Sequence, residues 1–341
     1  MIYQEVEKIV QRERLKKTHL PYIRSLLKEY LQVYVLYFVY TSKNYSKNLV
    51  FTGGTCLRHF YNLERLSDDV DFDYLREFES KKLLDDLKDF FIKRQKYKEV
   101  QISLKQRGKQ ILLKFPVLCQ LGLAQADQSN LLHVKVDLSK NPSKHYSIIT
   151  TSKSKYGFNF AARHYDLPDL MAGKIHAILE RKHLKGKEER VSVKGRDYFD
   201  LLWFVKKSVK PNIKRLSTLL GKTVELKDIE KEMDQKVEQV STKLKTDFQA
   251  DLIPFLANPD VIPAYVDNYQ EEYLRYKSNS FSNMIGLMLK CRKCGKNFSS
   301  GIVISEESFK TSEFKNNTHI CPFCRFENLV NKKDYSFSSR D

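Results

Sequence analysis

The segment SDDVDFDY at residues 67–74 is the feature that most constrains how this chain can fold. Acidic and apolar residues alternate in it, and successive side chains of a β-strand point to opposite faces. A strand here therefore has one apolar face, which packs into a core, and one face of three carboxylates. The apolar residues are Val70, Phe72 and Tyr74, and the carboxylates belong to Asp69, Asp71 and Asp73.

Three carboxylates on one face of a strand have two explanations. They repel one another, and each raises the pKa of the others unless a cation lies between them. Mg²⁺ is the cation that fits best, because it prefers oxygen ligands and accepts phosphate oxygens in its coordination shell. The alternative is an exposed edge strand whose acidic side chains prevent aggregation.

A glycine turn just before this segment favours the metal site. The apolar run Leu49–Thr52 predicts a strand, which leads through Gly53, Gly54 and Thr55 into a short helix predicted over residues 56–63. Glycines let backbone N–H groups approach phosphate oxygens, and a helix N-terminus adds positive potential. The Thr55 hydroxyl can add a further donor. By itself the Gly-Gly-Thr turn is weak evidence for a phosphate site. Because the acidic strand follows it, the turn predicts a phosphate site beside a metal site.

A further carboxylate is predicted from LLHVKVDLS at residues 131–139. Its apolar residues alternate, so Asp137 lies on the other face with His133 and Lys135. If this strand neighbours the acidic strand, Asp137 approaches Asp69 and Asp71. Two metal ions held this way stabilise the attacking and leaving oxygens of an in-line displacement. Otherwise Asp137 is an exposed strand carboxylate.

Two predicted helices place charged residues in apolar surroundings. In the helix predicted over residues 167–183, Lys174 and Arg181 fall within the apolar arc, which is costly unless they meet an anion. They either form core salt bridges or reach a triphosphate. In the helix predicted over 196–207, the spacing directs Asp197 toward the core. There it pairs with Lys174 or acts as a general base on an acceptor hydroxyl, unless it only interacts with the helix dipole.

Four cysteines near the C-terminus form a CxxC…CPxC pattern, which predicts a structural zinc ribbon. They are Cys291, Cys294, Cys321 and Cys324. Four thiolates leave no open coordination position, so a catalytic zinc is not expected. Chance cysteines or a redox pair are the alternatives. Cys56 and Cys119 stand alone and are interpreted as core residues.

The net charge of +18 and the pI of about 9.4 indicate a polyanionic partner, unless the surface is merely basic. A membrane is not expected, because the longest apolar run, at residues 31–40, is far shorter than the roughly 18–20 residues that span a bilayer. The first 17 residues contain no uninterrupted apolar core and so predict no export signal. A cytoplasmic, reducing location follows, and it favours metal binding over disulfides.

The remaining periodicity predicts helical structure over residues 3–40, a charged helix over 80–96, and a helical region over 211–280. Strands are predicted at 70–74, 100–105, 111–118 and 132–138.

Four segments resemble, in order and spacing, the AbiEii/AbiGii-type nucleotidyltransferase toxins, a family that includes the MenT toxins. They are LVFTGGTCLRHFYNLERLSDDVDFDY (49–74), VKVDLS (134–139), LPDLMAGKIHAILERK (167–182) and GRDYFDLLWFV (195–205), with DFQADLIPFLANPD (247–260) as a weaker one. The resemblance covers about residues 20–265 and implies an α+β fold. Its core is a polymerase-β-like nucleotidyltransferase core, a mixed sheet with helices. The basic loop 184–195 and the cysteine module depart from the pattern.

We therefore divide the chain into four parts. Residues 1–165 form the nucleotidyltransferase core with its N-terminal helices, and 166–284 form a helical domain that completes the active site. Residues 285–327 form the zinc ribbon, and 328–341 are a polar tail.

The resemblance also implies roles for individual residues. The phosphate-binding turn is formed by Gly53, Gly54 and Thr55; Mg²⁺ is bound by Asp69 and Asp71; and the further catalytic residues are Lys174 and Asp197. Arg181 supports the triphosphate or an acidic residue, as the helix pattern suggests.

The implied function is transfer of a nucleotide from an NTP to RNA, at the 3′ end of tRNA. The protein then acts as a toxin of a toxin–antitoxin or phage-defence system, with an antitoxin as partner. One alternative is transfer to a protein side chain. Another is an inactive transferase fold that binds nucleic acid.

Overall fold

The computed structural model describes residues 2–125, 127–181, 183–185, 190–282 and 284–337. The helices are α1 (Ile2–Leu15), α2 (Leu20–Thr41), α3 (Gly53–Phe60), α4 (Ser80–Asp89), α5 (Leu167–Glu180), α6 (Gly195–Lys206), α7 (Ile213–Leu220), α8 (Leu226–Thr242), α9 (Lys245–Leu252), α10 (Ile262–Asp267), α11 (Tyr269–Tyr276), α12 (Ser278–Phe281) and α13 (Glu306–Thr311). A π-helical turn, Phe90–Arg94, extends α4. Short 3₁₀ turns lie at Gln106–Gly108, Ile253–Phe255, Pro259–Val261 and Lys332–Asp334.

The strands are β1 (Leu49–Thr52), β2 (Asp69–Tyr74), β3 (Gln101–Lys105), β4 (Gln110–Pro116), β5 (Leu131–Lys140), β6 (Ile148–Lys155), β7 (Phe158–Tyr165), β8 (His183–Lys185), β9 (Arg190–Ser192), β10 (Met284–Lys290), β11 (Asn297–Ser305), β12 (Asn317–Ile320), β13 (Glu327–Val330) and β14 (Tyr335–Phe337).

A seven-stranded sheet with the order β3-β4-β5-β2-β1-β7-β6 forms the centre of the fold. Two of its neighbouring pairs, β2/β5 and β1/β7, are parallel, and the other four pairs are antiparallel. The sheet is therefore mixed, and the predicted α+β fold class is confirmed.

Strand β2 has the two faces that its alternation predicts. Val70 and Phe72 are buried, and the Phe72 ring packs against Phe51 of β1 and Tyr40 of α2. The opposite face carries the acidic residues. Strand β5 pairs with β2 in parallel, so Asp137 of β5 lies beside the acidic residues of β2.

The N-terminal region, predicted as helical over residues 3–40, forms two helices. Helix α1 ends at Leu15 and α2 begins at Leu20. Lys17 between them has a left-handed backbone conformation with φ of 56°, which a helix interior does not allow. Pro21 lies in the first turn of α2, where its missing N–H costs nothing.

The hairpin of β6 and β7 was not among the predicted strands. The two strands pair antiparallel from Ile148–Tyr165 to Lys155–Phe158, and they add the edge of the sheet beyond β1. Tyr156 and Gly157 form the turn, and both have positive φ, which matches the right-handed twist of a hairpin. Polar residues such as those of SKSK weaken the alternation that identifies a strand from sequence.

One continuous apolar core extends from Ile2 to Phe281 and joins the sheet to the helices that follow it. Helix α5 packs against α6 and α7, and α6 packs against α9 and α11. None of the described helices is both long and apolar enough to cross a membrane.

The C-terminal region has a small apolar cluster of its own. Strands β11, β10 and β14 form a three-stranded sheet, and β12 pairs with β13. The expected polar tail from residue 328 therefore differs from the structure: Val330 and Tyr335 are buried in this cluster, so β13 and β14 are part of the cysteine module. Residues 338–341 of that tail lie outside the described residues.

Candidate active site

Carboxylates from two adjacent strands face one cleft. Asp71 of β2 is aligned with Asp137 of β5, and Asp69 is aligned with Lys135. Asp69, Asp71 and Asp137 all line the cleft, which has a volume of about 400 Å³. The structure thus brings the third predicted carboxylate to the first two, as parallel pairing of the strands requires.

The electrostatics of these carboxylates indicate an uncompensated negative charge. Burial, together with the charges of Asp69 and Asp137, raises the pKa of Asp71 to about 7. Burial also raises the pKa of Asp137, against the effect of a 2.7 Å hydrogen bond donated by Gln110. Carboxylates that repel one another in this way are suited to hold a divalent cation, which removes the repulsion.

The glycine turn closes directly over Asp71. Gly53 opens α3 with φ of +76°, and a Cβ atom there would collide with the Asp71 carboxylate. At Gly54 a Cβ atom would lie 2.6 Å from Nη2 of Arg65. Both glycines line the cleft, so the free N–H groups of the α3 N-terminus lie beside the carboxylates. This arrangement suits a phosphate group next to a bound cation.

Thr55 has a different place from that expected of a phosphate ligand. Its side chain is buried, and its hydroxyl donates a hydrogen bond to the backbone carbonyl of Asp69. Thr55 therefore fixes the start of β2, while Thr52, Gly53 and Gly54 line the cleft.

Asp73 shares a face with Asp69 and Asp71 but is neutralised by other residues. Arg215 donates a 3.0 Å hydrogen bond to its carboxylate, and the Tyr165 hydroxyl donates one of 2.9 Å. The Arg215 guanidinium also stacks 4.1 Å from the centre of the Tyr165 ring. Asp73 thus connects β2 to α7 and β7, and two of the three acids of β2 remain available for a cation.

Lys174 on α5 lies between two carboxylates of α6. Its Nζ atom is 2.6 Å from Asp197 and 2.7 Å from Asp200. Burial lowers the pKa of Lys174, but the two carboxylates outweigh this effect and raise it, so the ammonium stays charged. Of the two accounts from the sequence, the core salt bridge is present, and Lys174 also lines the cleft.

Asp200 is shared by a second cation, Arg65. The guanidinium of Arg65 donates two hydrogen bonds of 2.6 Å to the Asp200 carboxylate and one of 2.8 Å to the Leu66 carbonyl. Both side chains are almost fully buried. Because Arg65 also contacts the glycine turn at Gly54, one polar network connects the turn, α6 and Lys174.

Asp197 is held as an anion. Burial raises the pKa of Asp197, but the charge and hydrogen bond of Lys174, with Arg181 and Lys194, lower it to about 2.

Arg181 was predicted to lie within the helix, but α5 ends at Glu180 and Arg181 follows it with an extended backbone. The Arg181 side chain is half exposed, and its Nη1 atom lies 3.8 Å from the Asp197 carboxylate at the edge of the cleft.

Three arginines and one aspartate of this site were not predicted as functional residues. Arg65, Asp200 and Arg215 bind partners far away in the sequence, and Arg196 contacts Asp68 and Asp251. Of the basic loop 184–195, residues 186–189 lie outside the described residues, and Lys194 lines the cleft.

The four paired cysteines converge as a zinc site requires. The sulfur atoms of Cys291, Cys294, Cys321 and Cys324 all lie within 4.8 Å of one another. The two knuckles have the same backbone: the residue after each CxxC, Gly295 or Arg325, has positive φ and donates its N–H to the carbonyl of the first cysteine. Four thiolates in this arrangement fit tetrahedral Zn²⁺. His319 instead contacts the Tyr335 hydroxyl at 2.8 Å.

We expect one zinc ion per chain, and we expect Cys321→Ser to lose it. The module has only a small apolar cluster, so metal binding supplies most of its folding free energy, on the order of 10 kcal/mol. Metal analysis and limited proteolysis measure the effect: residues after 284 become protease-sensitive while the main core keeps its melting temperature. Cys119→Ser is the matched control and retains zinc. Wild-type protein without zinc would contradict the assignment.

The comparison with protein families shows that the chain is a nucleotidyltransferase. The family model described as "Nucleotidyl transferase AbiEii toxin, Type IV TA system" matches residues 37–281, and the chain belongs to this family. The matched range ends before the cysteine module.

Two solved structures are similar to this chain. MenT4, a nucleotidyltransferase toxin from Mycobacterium tuberculosis H37Rv, is 15% identical, with 79% of this chain and 89% of that chain covered and a TM-score of 0.46. JHP933 from Helicobacter pylori is 15% identical, with 74% and 94% covered and a TM-score of 0.40. No curated protein matches the chain.

Proposed function

We propose that this chain transfers a nucleotide from an NTP to the 3′ end of tRNA in a Mg²⁺-dependent reaction, as the toxin partner of a cognate antitoxin. The observation that carries the proposal is the single cleft into which the carboxylates of β2 and β5, the glycine turn and Lys174 all project. Membership of a family of nucleotidyltransferase toxins supports the reaction type and the toxin role.

The carboxylate side of the cleft would hold the metal. Asp69 and Asp71 are the proposed ligands of Mg²⁺, with Asp137, oriented by Gln110, as the third carboxylate. When bound, Mg²⁺ supplies charge stabilisation for the attacking and leaving oxygens. The raised pKa of Asp71 supports this role, because a cation favours the ionised carboxylate.

The groups next to the carboxylates would hold the triphosphate. The backbone N–H groups at Gly53 and Gly54 are the proposed phosphate donors. An ammonium has three N–H donors, so Lys174, with two used by Asp197 and Asp200, has one left for a phosphate oxygen. Arg181 at the edge can add a second positive charge. The lowered pKa makes Asp197 a weak base at neutral pH, so we assign it to holding Lys174 and not to proton abstraction.

RNA is the proposed acceptor because the chain has a net charge of +18. The zinc module offers a second contact with RNA. Phe323 is 58% exposed, and Lys296 lies 5.0 Å from the centre of its ring. Exposed aromatic rings beside cations are typical of surfaces that stack on unpaired bases and bind phosphates. Arg325 adds a further positive charge in the same knuckle.

A transfer assay tests the proposal directly. Purified protein is incubated with Mg²⁺, total tRNA and each α-labelled NTP in turn, with Asp69→Asn and Lys174→Ala as variants. We expect label in tRNA with wild-type protein and little with either variant. Metal-dependent label in protein would instead identify a protein acceptor. Binding of tRNA without label in any molecule would indicate an inactive fold that binds nucleic acid.

A further inference from the structure

One face of strands β3, β4 and β5 continues outward from the carboxylates. On β5 this face carries His133, Lys135 and Asp137, each about 7 Å from the next. Gln110 lies opposite Asp137 and Lys114 lies opposite His133 on β4. Paired residues of neighbouring strands share a face, so β3 adds Lys105 and Gln101 by the same register. The face therefore begins at the third carboxylate and extends across two further strands.

This face is open and basic. Lys105 and His133 are exposed, Lys114 is partly exposed, and the Lys135 side chain is 46% exposed. Burial and then the charges of Lys114, Lys28 and Lys135 lower the pKa of His133, which reflects a cluster of positive charges. Asp137 is the single acidic residue in the three strands, all of whose residues are described.

The position of the face suits an acceptor. The phosphate-binding groups, the glycine turn and Lys174, come from α3 and α5, and α3 packs on β2. Strand β5 lies on the other side of β2 from β1, the strand that leads into that turn. An acceptor must reach the carboxylates from the side that the NTP leaves free, and in this sheet that side is β5 and β4. Lys135, whose Nζ atom is 3.7 Å from the Asp69 carboxylate, lies where the acceptor and the NTP would meet.

The chemistry of the face favours a nucleic-acid strand over a protein. Protein interfaces have an apolar, aromatic-rich centre with few charges. Leu112, which lies opposite Lys135 on this face, is only partly exposed, and none of the exposed large hydrophobic residues in the described part of the chain lies on these three strands. Separated cations with an exposed polar neighbour, Gln101, match phosphate groups along a backbone.

We infer that the open face of β3, β4 and β5 binds the phosphate backbone of the acceptor RNA and leads its end to Asp137 and Asp69. The inference rests on the proposed function, since it takes RNA as the acceptor. It assigns Lys105, Lys114, His133 and Lys135 to the RNA and leaves the NTP to the other side of the cleft.

The test is RNA binding by the double variant Lys105→Ala/Lys114→Ala, in which neither lysine contacts a carboxylate of the cleft. Binding of labelled total tRNA is measured without NTP at several salt concentrations, and the KM values for tRNA and NTP are measured separately. We expect about tenfold weaker tRNA binding and a salt slope smaller by about 1.4, because two phosphate contacts are lost. The KM for NTP and the kcat at saturating tRNA stay within about twofold of wild type.

The matched control is Lys227→Ala/Lys231→Ala, which removes the same charge from exposed positions of α8, a helix that lines no part of the cleft. Wild-type tRNA affinity and salt slope in the Lys105/Lys114 variant would overturn the inference, as would equal losses in both double variants. If the Lys105/Lys114 variant binds tRNA more weakly but wild-type protein transfers no label, the inferred RNA-binding face is supported and the proposed function is overturned. Unchanged tRNA binding with lost labelling of a protein acceptor would identify the face as a protein-docking surface.

Discussion

Asp71→Asn is expected to lower kcat for nucleotide transfer by at least about a thousandfold, because it removes a proposed metal ligand that stabilises charge in the transition state. The asparagine side chain is nearly isosteric with that of Asp71, so it fits in the same space beside Gly53. Initial rates at saturating NTP and tRNA measure the loss. Asp89→Asn, an exposed carboxylate on α4 that pairs only with Lys93 among described residues, is the matched control.

The same variant is expected to be more stable than wild type in metal-free buffer at pH 8. The pKa of Asp71 in the folded chain is about 7, above its ordinary value of 3.8, so the fold favours the protonated form. The stability of the folded chain that depends on protonated Asp71 is fully present below about pH 4 and is lost as the pH rises through 7. The asparagine variant lacks this loss, because its amide does not ionise.

Thermal unfolding at pH 5 and pH 8, with and without Mg²⁺, measures these effects. For wild type, we expect the melting temperature without metal to fall between pH 5 and pH 8 by more than that of Asp71→Asn. Mg²⁺ should stabilise wild type more at pH 8 than at pH 5, because the ion binds the ionised carboxylate, and it should not stabilise the variant. Equal stabilisation of both proteins by Mg²⁺ would contradict the metal assignment of Asp71.

The carboxylate part of the site could be predicted because its signal is local. The alternation in β2 and β5 determines which residues share a face, and a two-residue period requires no knowledge of distant contacts. The sequence leaves open whether β5 neighbours β2, and the structure shows that the two strands pair, with Asp71 aligned with Asp137. The convergence of the four cysteines was predictable for the same reason, since the CxxC spacing is itself local.

The charged network behind the carboxylates could not be predicted because its partners are distant in the sequence. Arg65 lies two residues before the acidic segment, but its partner Asp200 is 135 residues away. Arg215 lies 142 residues from Asp73. Before these contacts are known, Asp73 looks equivalent to Asp69 and Asp71 on the strand face. Periodicity predicts which residues face a cavity, while burial of opposite charges decides which of them remain free.

Local signals also failed where the backbone leaves its regular conformation. The apolar period continues through residues 3–40, but the left-handed conformation of Lys17 divides the helix. Likewise, the period of α5 continues to residue 183, but the helix ends at Glu180. These ends matter for the site, because the extended backbone at Arg181 places its side chain at the edge of the cleft and not in the core.

Asp200→Asn is expected to lower the free energy of unfolding by about 3–5 kcal/mol, because it leaves Arg65 and Lys174 as buried cations with one carboxylate fewer. Denaturant unfolding measures the loss. Arg65→Met/Asp200→Asn should be less destabilised than the sum of the two single variants, because the double change removes a charge together with its counter-ion. Asp85→Asn, from the exposed pair with Lys81, should change stability little. Wild-type stability of Asp200→Asn would contradict the proposed importance of the buried network.

Asp200 does not line the cleft, so its effect on transfer should pass through Lys174. Transfer rates are therefore compared at a temperature where each variant is folded. We expect Lys174→Ala/Asp200→Asn to transfer as slowly as Lys174→Ala alone, because a positioning residue has no effect once the side chain that it positions is gone. A further tenfold loss in the double variant would mean that Asp200 acts on the reaction by another route, with the glycine turn above Arg65 as the next place to look.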